Sequence, residues 1–258
     1  MRILVILGLL LAFVPSTHAA IQTQTVEYQD GETTLEGFLA YDDALQTRRP
    51  GVLIVHEWKG VNDHAKNSAK KLAELGYVAL AVDMYGKGVR PQTNEEAAPV
   101  AGIYKNDRPL MRRRILAGWN YLKGLPTVDS EETAAIGYCF GGTTVLELAR
   151  SGADIDAVVS FHGGLSTPTP EDAKKIKARV LVLHGGDDPF VKPEEVAAFK
   201  DEMKKGNVHY RFVTYKGAVH SFTNPQAGDD PSKGMAYNKE ADEKSWVEMV
   251  DFLHQNLQ

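Results

Sequence analysis

The chain has 258 residues, of which 43% are hydrophobic, so it can bury a substantial core within one domain. Its formal net charge of −5 is mild, and the charged residues are spread along the sequence. Nucleic acids and anionic membrane surfaces are therefore not expected as partners, since both select for strongly basic surfaces. We expect a single domain over residues 21–258 and favour a monomer.

The first 20 residues have the layout of a secretory signal peptide. Arg2 gives a positive start, residues 3–14 are an apolar run, and Pro-Ser-Thr-His-Ala-Ala follows at residues 15–20. The apolar run is too short for a membrane span, and no other long apolar run follows it. We expect cleavage after Ala19 or Ala20, export to a bacterial periplasm, and no membrane association of the mature protein.

Cys139 is the one cysteine of the chain. Exported proteins usually pair their cysteines in disulfides, and here there is no second cysteine to pair with. An unpaired thiol in an oxidising compartment risks oxidation. An exported protein is therefore expected to keep such a thiol only where it is shielded or functional. The cysteine count therefore favours a catalytic thiol, while a buried and inert thiol is the alternative.

Hydrophobic patterning predicts strands that alternate with helices. Two alternating segments around Asp30-Gly31 predict a β-hairpin, and the later apolar runs are continuous, as in parallel strands covered on both faces. Residues 84–107 read as a long loop with a short helix, and loops of that length often line functional sites. The pattern predicts a doubly wound, mostly parallel α/β sheet with its site at the carboxyl ends of the strands. The predicted strands are 22–28, 34–40, 51–56, 77–83, 133–136, 155–161, 179–184 and 208–215, and the predicted helices are 63–75, 109–122, 142–150, 193–204 and 237–257.

The sequence Gly-Tyr-Cys-Phe-Gly at residues 137–141 has the form of a nucleophile elbow. It follows a short apolar strand and precedes a helix, which is the setting that this turn requires. Gly137, Gly141 and Gly142 would give the strand and helix room to approach closely. The turn would expose the Cys139 sulfur, and the Phe140 N–H at the helix start would face a carbonyl oxygen. This pattern indicates acyl transfer through a thiolate.

A thiol nucleophile needs a base and an acidic residue that orients the base. In α/β-hydrolases these follow the nucleophile in the order acid, then histidine. Asp187 and Asp188 follow the predicted strand that ends at His184, and both remain candidates for the acid. His220 is the one histidine of eight in the loop after the last strand. The order along the chain therefore predicts His220 as the base.

The chain resembles the dienelactone hydrolase family of α/β-hydrolases over nearly its whole mature length. Five motifs carry the resemblance, and they occur in the family's order. The resemblance implies Cys139 as nucleophile, Asp188 as the triad acid and His220 as the base. It also implies that Glu57 holds the thiol proton in the resting enzyme, whereas by its position alone Glu57 could be an exposed loop acid. The motifs are His-Glu-Trp-Lys-Gly-Val-Asn at 56–62, Asp-Met-Tyr at 83–85, Gly-Tyr-Cys-Phe-Gly-Gly at 137–142, His-Gly-Gly-Asp-Asp-Pro-Phe-Val at 184–191 and His-Ser-Phe at 220–222.

Trp58 follows the first buried strand. We therefore expect its N–H to be the second oxyanion donor, beside that of Phe140. The resemblance also implies Tyr85, Lys87 and Asn224 as substrate-binding residues. Family members that act on dienelactone carry two arginines for the substrate carboxylate, and Lys87 and Asn224 stand near those positions. Without a bidentate clamp, we expect little advantage for a charged enol-lactone over a neutral ester.

These observations predict a cysteine-dependent hydrolase of a carboxylic ester or lactone that works through an acyl-thioester, with no metal or organic cofactor. Its partner would be a small-molecule ester or lactone substrate. One alternative is a broad short-chain carboxylesterase or thioesterase, and another is a non-catalytic periplasmic binding module on a hydrolase scaffold. A metal site formed by His56, Glu57 and His64 is a further alternative, which no compact ligand spacing supports.

Overall fold

A computed structural model describes residues 20–44 and 47–257, and an eight-stranded sheet forms its centre. Apart from Ala20, the predicted signal peptide lies outside the described residues. The strand order across the sheet is β1-β2-β4-β3-β5-β6-β7-β8. The strands are β1 (Ile21–Asp30), β2 (Thr33–Asp42), β3 (Arg49–Val55), β4 (Val78–Val82), β5 (Val128–Tyr138), β6 (Ala157–Phe161), β7 (Arg179–Gly185) and β8 (Tyr210–Tyr215).

The first two strands form the predicted N-terminal hairpin, and the later strands run parallel. β1 pairs antiparallel with β2, and β2 pairs antiparallel with β4. Every pair from β4 through β3, β5, β6 and β7 to β8 is parallel. The prediction of a mostly parallel α/β sheet with an N-terminal β-hairpin is therefore confirmed.

Within residues 20–44 and 47–257, six α-helices cover the two faces of the sheet. They are α1 (Asp63–Glu74), α2 (Asn94–Asn106), α3 (Arg108–Lys123), α4 (Phe140–Arg150), α5 (Pro193–Lys205) and α6 (Lys239–Asn256) among the residues that the structure describes. Helices α1 and α6 contribute to one apolar core, and helices α2 to α5 contribute to the other. Within this part of the chain, no helix is both long enough and apolar enough to cross a membrane.

The strands are buried on both faces, which explains their continuous apolar sequence. In β3, Val52 and Ile54 belong to the core under α1 and α6, whereas Leu53 and Val55 belong to the core under α2 to α5. All four side chains are fully buried. Burying one such side chain contributes about 1.5–3 kcal/mol to the free energy of folding. The two cores therefore hold the central strands, and the loops at their carboxyl ends, in a fixed position.

Helix α2 is longer than the short helix that we predicted within residues 84–107. It spans 13 residues and contains Pro99, whose ring and missing N–H normally end a helix. The Thr93 hydroxyl caps its first turn by accepting a hydrogen bond from the Glu96 N–H at 3.2 Å. Buried Ala97, Ala101 and Tyr104 then anchor the helix, so packing outweighs the local effect of the proline.

Candidate active site

The elbow lies between the end of β5 and the start of α4. Cys139 there has φ 54° and ψ −112°, a backbone conformation that residues with a side chain rarely adopt. Two hydrogen bonds from its backbone N–H hold this turn, one to Phe161 O at 3.0 Å and one to His162 Nδ1 at 3.1 Å. Such strain persists only where the surroundings enforce it, and it is typical of functional turns.

The glycines beside Cys139 provide the clearance predicted from the sequence. A Cβ atom on Gly137 would lie 2.1 Å from Gly141 O, and one on Gly141 would lie 2.2 Å from Val55 O. A Cβ on Gly142 would meet Ser160 Oγ at 2.7 Å. Strand and helix therefore cross so closely that no side chain fits between them.

His220 connects the Cys139 thiol to Asp188. His220 Nε2 lies 3.0 Å from Cys139 Sγ, and Nδ1 lies 2.8 Å from Asp188 Oδ2. Asp188 Oδ1 accepts a further hydrogen bond from the Phe190 N–H at 2.8 Å, which fixes the carboxylate. Asp187 is exposed, so of the two adjacent aspartates the structure brings Asp188 to the histidine. The Nδ1–H of His220 points at a carboxylate, and its Nε2 therefore faces the sulfur.

The charges around His220 favour its protonated form. Burial lowers the pKa of the imidazole, but the negative charge of a Cys139 thiolate and hydrogen bonds to Asp188 and Cys139 raise it, to about 10 in balance. The proton therefore stays on His220 at neutral pH and leaves only as the pH rises through about 10. His220 Nε2 and Cys139 Sγ, 3.0 Å apart, are close enough to share a proton, and this is the geometry that activation of a thiol by a histidine requires.

We expect Cys139→Ala to lower the pKa of His220 by about 1 pH unit or more, because the thiolate charge is lost while burial still disfavours the cation. Imidazole nitrogen shifts measured by NMR across pH 5–10 would follow the titration. Buried His162, whose pKa burial holds well below its usual value, is the internal control and stays neutral in both proteins. Titration of His220 at the same pH with and without the thiol would show that Cys139 does not raise the pKa of its imidazole.

Glu57 lies beside the triad and is 5% exposed, so the alternative of an exposed loop acid is wrong. Its Oε2 accepts a hydrogen bond from Asn224 Nδ2 at 2.5 Å, and its Oε1 accepts one from Ser221 Oγ at 3.3 Å. His64 Nδ1 lies 4.0 Å from Oε2. The structure therefore gives Glu57 these partners in place of the Cys139 thiol, whose sulfur contacts His220.

The backbone N–H groups of Trp58 and Phe140 are the two predicted oxyanion donors. Within the described residues neither N–H donates a hydrogen bond to a protein atom. Phe140 begins helix α4, so its N–H carries the partial positive charge of a helix N-terminus. The Trp58 backbone is held by its carbonyl, which accepts a hydrogen bond from Tyr85 Oη at 3.0 Å.

A cavity of about 500 Å³ opens beside Cys139. An apolar part of its lining comes from Trp58, Phe140, Phe190, Val191 and Met235, and a polar part comes from Lys105, Arg108, Thr143, Gly164, Ser166 and Glu195, with Cys139 and His220 between them. A cavity of this size and composition suits a small organic substrate.

The three predicted substrate-binding residues do not line this cavity. Lys87 is exposed and pairs with Glu27 of β1 at 2.5 Å, because its turn packs on the N-terminal hairpin. Tyr85 is buried behind Phe140 with its ring centroid 5.5 Å away. Asn224 is buried and donates to Glu57. The prediction that these three residues contact the substrate is therefore corrected. Tyr85 instead packs against Phe140, and Asn224 holds the Glu57 carboxylate.

Sequence reasoning missed the cations of the cavity, Lys105 and Arg108. Both lie where α2 ends and α3 begins, in or next to the region predicted as a loop. The only sequence signal was the general expectation that this region lines a site. His162, which directly follows β6, is fully buried, and its Nε2 lies 2.8 Å from Thr223 Oγ1.

A buried ion network that the sequence did not reveal fixes the cavity wall. Arg150, which is fully buried, donates to both oxygens of Glu202 at 2.8 and 2.7 Å and to Glu147 at 3.0 Å. It also donates to Leu165 O at 2.9 Å, so the network reaches the loop that follows β6. Removing one member of such a group leaves an unpaired buried charge, which costs about 3–5 kcal/mol.

Among the residues described, no group of three or more histidine, cysteine, aspartate or glutamate side chains is arranged to hold a metal ion. His56 and Glu57, which the metal alternative paired with His64, have other roles. His56 Nε2 accepts a hydrogen bond from the Met84 N–H at 3.3 Å, and its Nδ1 contacts the Glu57 carbonyl oxygen.

Comparison with known proteins relates the whole fold to one family. The model of the dienelactone hydrolase family matches residues 35–257. A Synechocystis sp. protein with the provisional name carboxymethylenebutenolidase is 27% identical over 252 residues, which is 92% of this chain and 98% of that protein. A crystal structure of a dienelactone hydrolase-like promiscuous phosphotriesterase from metagenomic libraries is 40% identical, with a TM-score of 0.88 over 93% of this chain and 100% of that chain.

A likeness of fold alone extends to peptidases. The structure of a Pyrococcus horikoshii acylaminoacyl peptidase is 15% identical and has a TM-score of 0.70, covering 93% of this chain and 42% of that chain. The sheet, the elbow at the end of β5 and the family match agree with one another. The α/β-hydrolase fold expected from the sequence is thus confirmed, and the chain belongs to the dienelactone hydrolase family of carboxylic ester and lactone hydrolases.

Proposed function

We propose that this protein hydrolyses a carboxylic ester or lactone through a thioester on Cys139. The observation that carries the proposal is the contact of His220 Nε2 with Cys139 Sγ at 3.0 Å, backed by Asp188 at 2.8 Å from Nδ1. The strained backbone at Cys139 supports it, because strain of this kind costs about 1–3 kcal/mol and would have no use in an inert thiol.

The first half of the reaction forms the thioester. The Cys139 thiolate attacks the carbonyl carbon, and the electron pair of the C=O bond moves to its oxygen. The N–H groups of Trp58 and Phe140 stabilise the resulting oxyanion. When the C=O bond re-forms, the C–O bond to the leaving alcohol breaks, and His220 gives its Nε2 proton to that oxygen.

The second half uses water. His220, now neutral, takes a proton from a water molecule whose oxygen attacks the thioester carbonyl. The same two N–H groups hold the oxyanion, the C–S bond breaks, and the carboxylic acid leaves with the thiolate and imidazolium restored. Asp188 keeps the Nδ1–H of His220 in place throughout, so Nε2 faces the reacting atoms in both halves.

A non-catalytic binding module has less support. Binding alone would need a cavity, but it would not need a thiol, imidazole and carboxylate in one hydrogen-bonded chain. A broad short-chain carboxylesterase or thioesterase uses the same chemistry and differs only in the acyl and leaving groups that the cavity accepts. The lining of the cavity, and not the triad, must decide between these substrates.

Trapping the acyl group tests the proposed function. The protein beginning at Ile21, kept reduced, is mixed with p-nitrophenyl acetate, quenched in acid during turnover and digested for mass spectrometry. We expect one acetyl group on the peptide that contains Cys139, and none when iodoacetamide has first alkylated the thiol. Turnover with acetylation of another residue, or turnover that survives alkylation, would refute the thioester route.

A further inference from the structure

We propose that His162 is a positioning residue, which connects the nucleophile to the loop of the base and so sets the distance between the Cys139 thiol and His220. This inference rests on the proposed hydrolase function. His162 directly follows β6 and is fully buried, and it is not among the residues that line the cavity beside Cys139. Its effect on the reaction must therefore pass through other residues.

One ring nitrogen of His162 holds the elbow. His162 Nδ1 accepts a hydrogen bond from the Cys139 backbone N–H at 3.1 Å, and Phe161 O accepts one from the same N–H at 3.0 Å. The backbone of Cys139, at φ 54°, is strained, and strain of this kind persists only where the surroundings enforce it. The bond to His162 is one of the contacts that enforce it. It therefore helps to fix the direction in which the Cys139 sulfur leaves the turn.

The other ring nitrogen holds the loop that carries the base. His162 Nε2 lies 2.8 Å from Oγ1 of Thr223, which is buried three residues after His220. The intervening chain is tight, because Ser221 has φ 58° and its carbonyl accepts a hydrogen bond from the Asn224 N–H at 3.0 Å. The imidazole of His162 also contacts that of His220 edge-on, with the ring centroids 5.3 Å apart. A displacement of His162 or Thr223 would therefore be transmitted to His220.

The partners of His162 select one tautomer of its ring. A backbone N–H only donates, so Nδ1 carries a lone pair toward Cys139, and the ring proton lies on Nε2, from which it is donated to the Thr223 hydroxyl oxygen. Burial, together with the charge of His220, holds the pKa of His162 well below its usual value, so the ring stays neutral. A second proton would point from Nδ1 at the Cys139 N–H and break the link. Both nitrogens are thus already used, and neither is left to act as a second base.

The backbone of His162 favours a different residue type from the one that stands there. Its φ of 38° lies in the left-handed region, which glycine and asparagine adopt most readily. A histidine in that conformation is strained, and the two hydrogen bonds of its ring help to hold it. Asparagine would suit the same backbone and would place its Oδ1 near the position of Nδ1, but it is too short to reach Thr223. The imidazole suits a position that needs both links.

His184 shows that a buried histidine at this end of the sheet does not by itself form such a link. It lies in β7, the neighbour of β6, and is 6% exposed. Its Nδ1 has no hydrogen-bond partner within residues 20–44 and 47–257. His184 is therefore a matched control, because it shares the residue type, the burial and the strand-end position of His162 without connecting the elbow to the loop of the base.

Four variants test the inference, namely His162→Leu, His162→Asn, Thr223→Val and, as the control, His184→Leu. The measured quantity is kcat/KM for p-nitrophenyl acetate per folded molecule, with the folded fraction taken from circular dichroism. A purely structural role of His162 would lower the folded fraction and leave kcat/KM per folded molecule unchanged. Imidazole nitrogen shifts measured by NMR on the native protein report the tautomer of His162 independently of hydrolysis.

We expect His162→Leu to lower kcat/KM by on the order of 100-fold, because a misplacement of about 1 Å at the reacting atoms has an effect of this size. His162→Asn keeps an acceptor for the Cys139 N–H and should recover about 10-fold of that loss. Thr223→Val removes the second link without altering the elbow, and should lower kcat/KM by about 10-fold. His184→Leu should stay within a factor of a few of the native value. The nitrogen shifts should place the ring proton of His162 on Nε2.

Any one of four results would overturn the inference. They are native-like kcat/KM in folded His162→Leu or Thr223→Val, a kcat/KM in His162→Asn no higher than in His162→Leu, a loss in His184→Leu as large as that in His162→Leu, and a ring proton on His162 Nδ1. If the native protein still hydrolyses the ester and acetylates Cys139, only the role of His162 has failed. If the native protein does neither, the proposed function fails and the inference falls with it.

Discussion

Cys139→Ala is expected to reduce kcat/KM for p-nitrophenyl acetate by about 1,000-fold or more, to nearly the rate in buffer. The variant keeps the N–H groups of Trp58 and Phe140, but it has no atom that can form the acyl bond. Removing the nucleophile abolishes most of the rate enhancement that the triad provides. The reason is that His220 and Asp188 act only through the sulfur, which lies 3.0 Å from His220 Nε2. Initial rates from p-nitrophenolate absorbance measure the change.

Ser160→Ala is a matched control for this variant. Ser160 is fully buried in β6 close to the elbow, and its Oγ has no hydrogen-bond partner in the described part of the chain. Like Cys139→Ala, the Ser160→Ala substitution removes one side-chain heavy atom. We expect this variant to keep the native rate within a factor of a few. Thermal unfolding followed by circular dichroism shows whether both variants remain folded. A folded Cys139→Ala protein with the native rate would exclude Cys139 as the nucleophile.

The triad could be predicted from sequence because it depends on chain order and local turn chemistry. Cys139 lies in a turn that requires small neighbours at fixed offsets, and glycine at those offsets is visible without a structure. His220 and Asp188 follow strand ends, and the carboxyl ends of parallel strands meet at one edge. The choice of Asp188 over Asp187 came from the family resemblance, and the structure brings Asp188 to the histidine.

The substrate contacts could not be predicted in the same way because they depend on where side chains pack. Lys87 follows a strand end, like the triad residues, but its turn pairs with the N-terminal hairpin and directs the ammonium to Glu27. Asn224 follows His220 closely, yet it is buried against Glu57. Arg108 lies at the cavity because α2 extends to Asn106 and α3 begins at Arg108. The sequence did not predict the full length of α2, since a proline such as Pro99 normally ends a helix. Nonlocal packing decides all three cases.

Gly141→Ala is expected to destabilise the protein by about 3 kcal/mol, at the upper end of the range for overpacking. The new Cβ would lie 2.2 Å from Val55 O and 2.8 Å from His56 O, and both of these are backbone atoms. A flexible side chain could turn away from such a contact, but β3 is a central strand paired on both sides and cannot. Urea unfolding followed by tryptophan fluorescence measures the free energy of unfolding.

Gly102→Ala makes the same chemical change where there is room for it. A Cβ at Gly102, in helix α2, would meet no heavy atom within 4 Å, and alanine favours a helix over glycine by about 1 kcal/mol. We therefore expect this variant to be as stable as the native protein or slightly more stable. If Gly141→Ala were equally stable, α4 and β3 could not cross as closely as the structure has them. Because that crossing also directs the Cys139 sulfur toward His220, the destabilised variant should lose ester hydrolysis even where it remains folded, whereas Gly102→Ala should retain it.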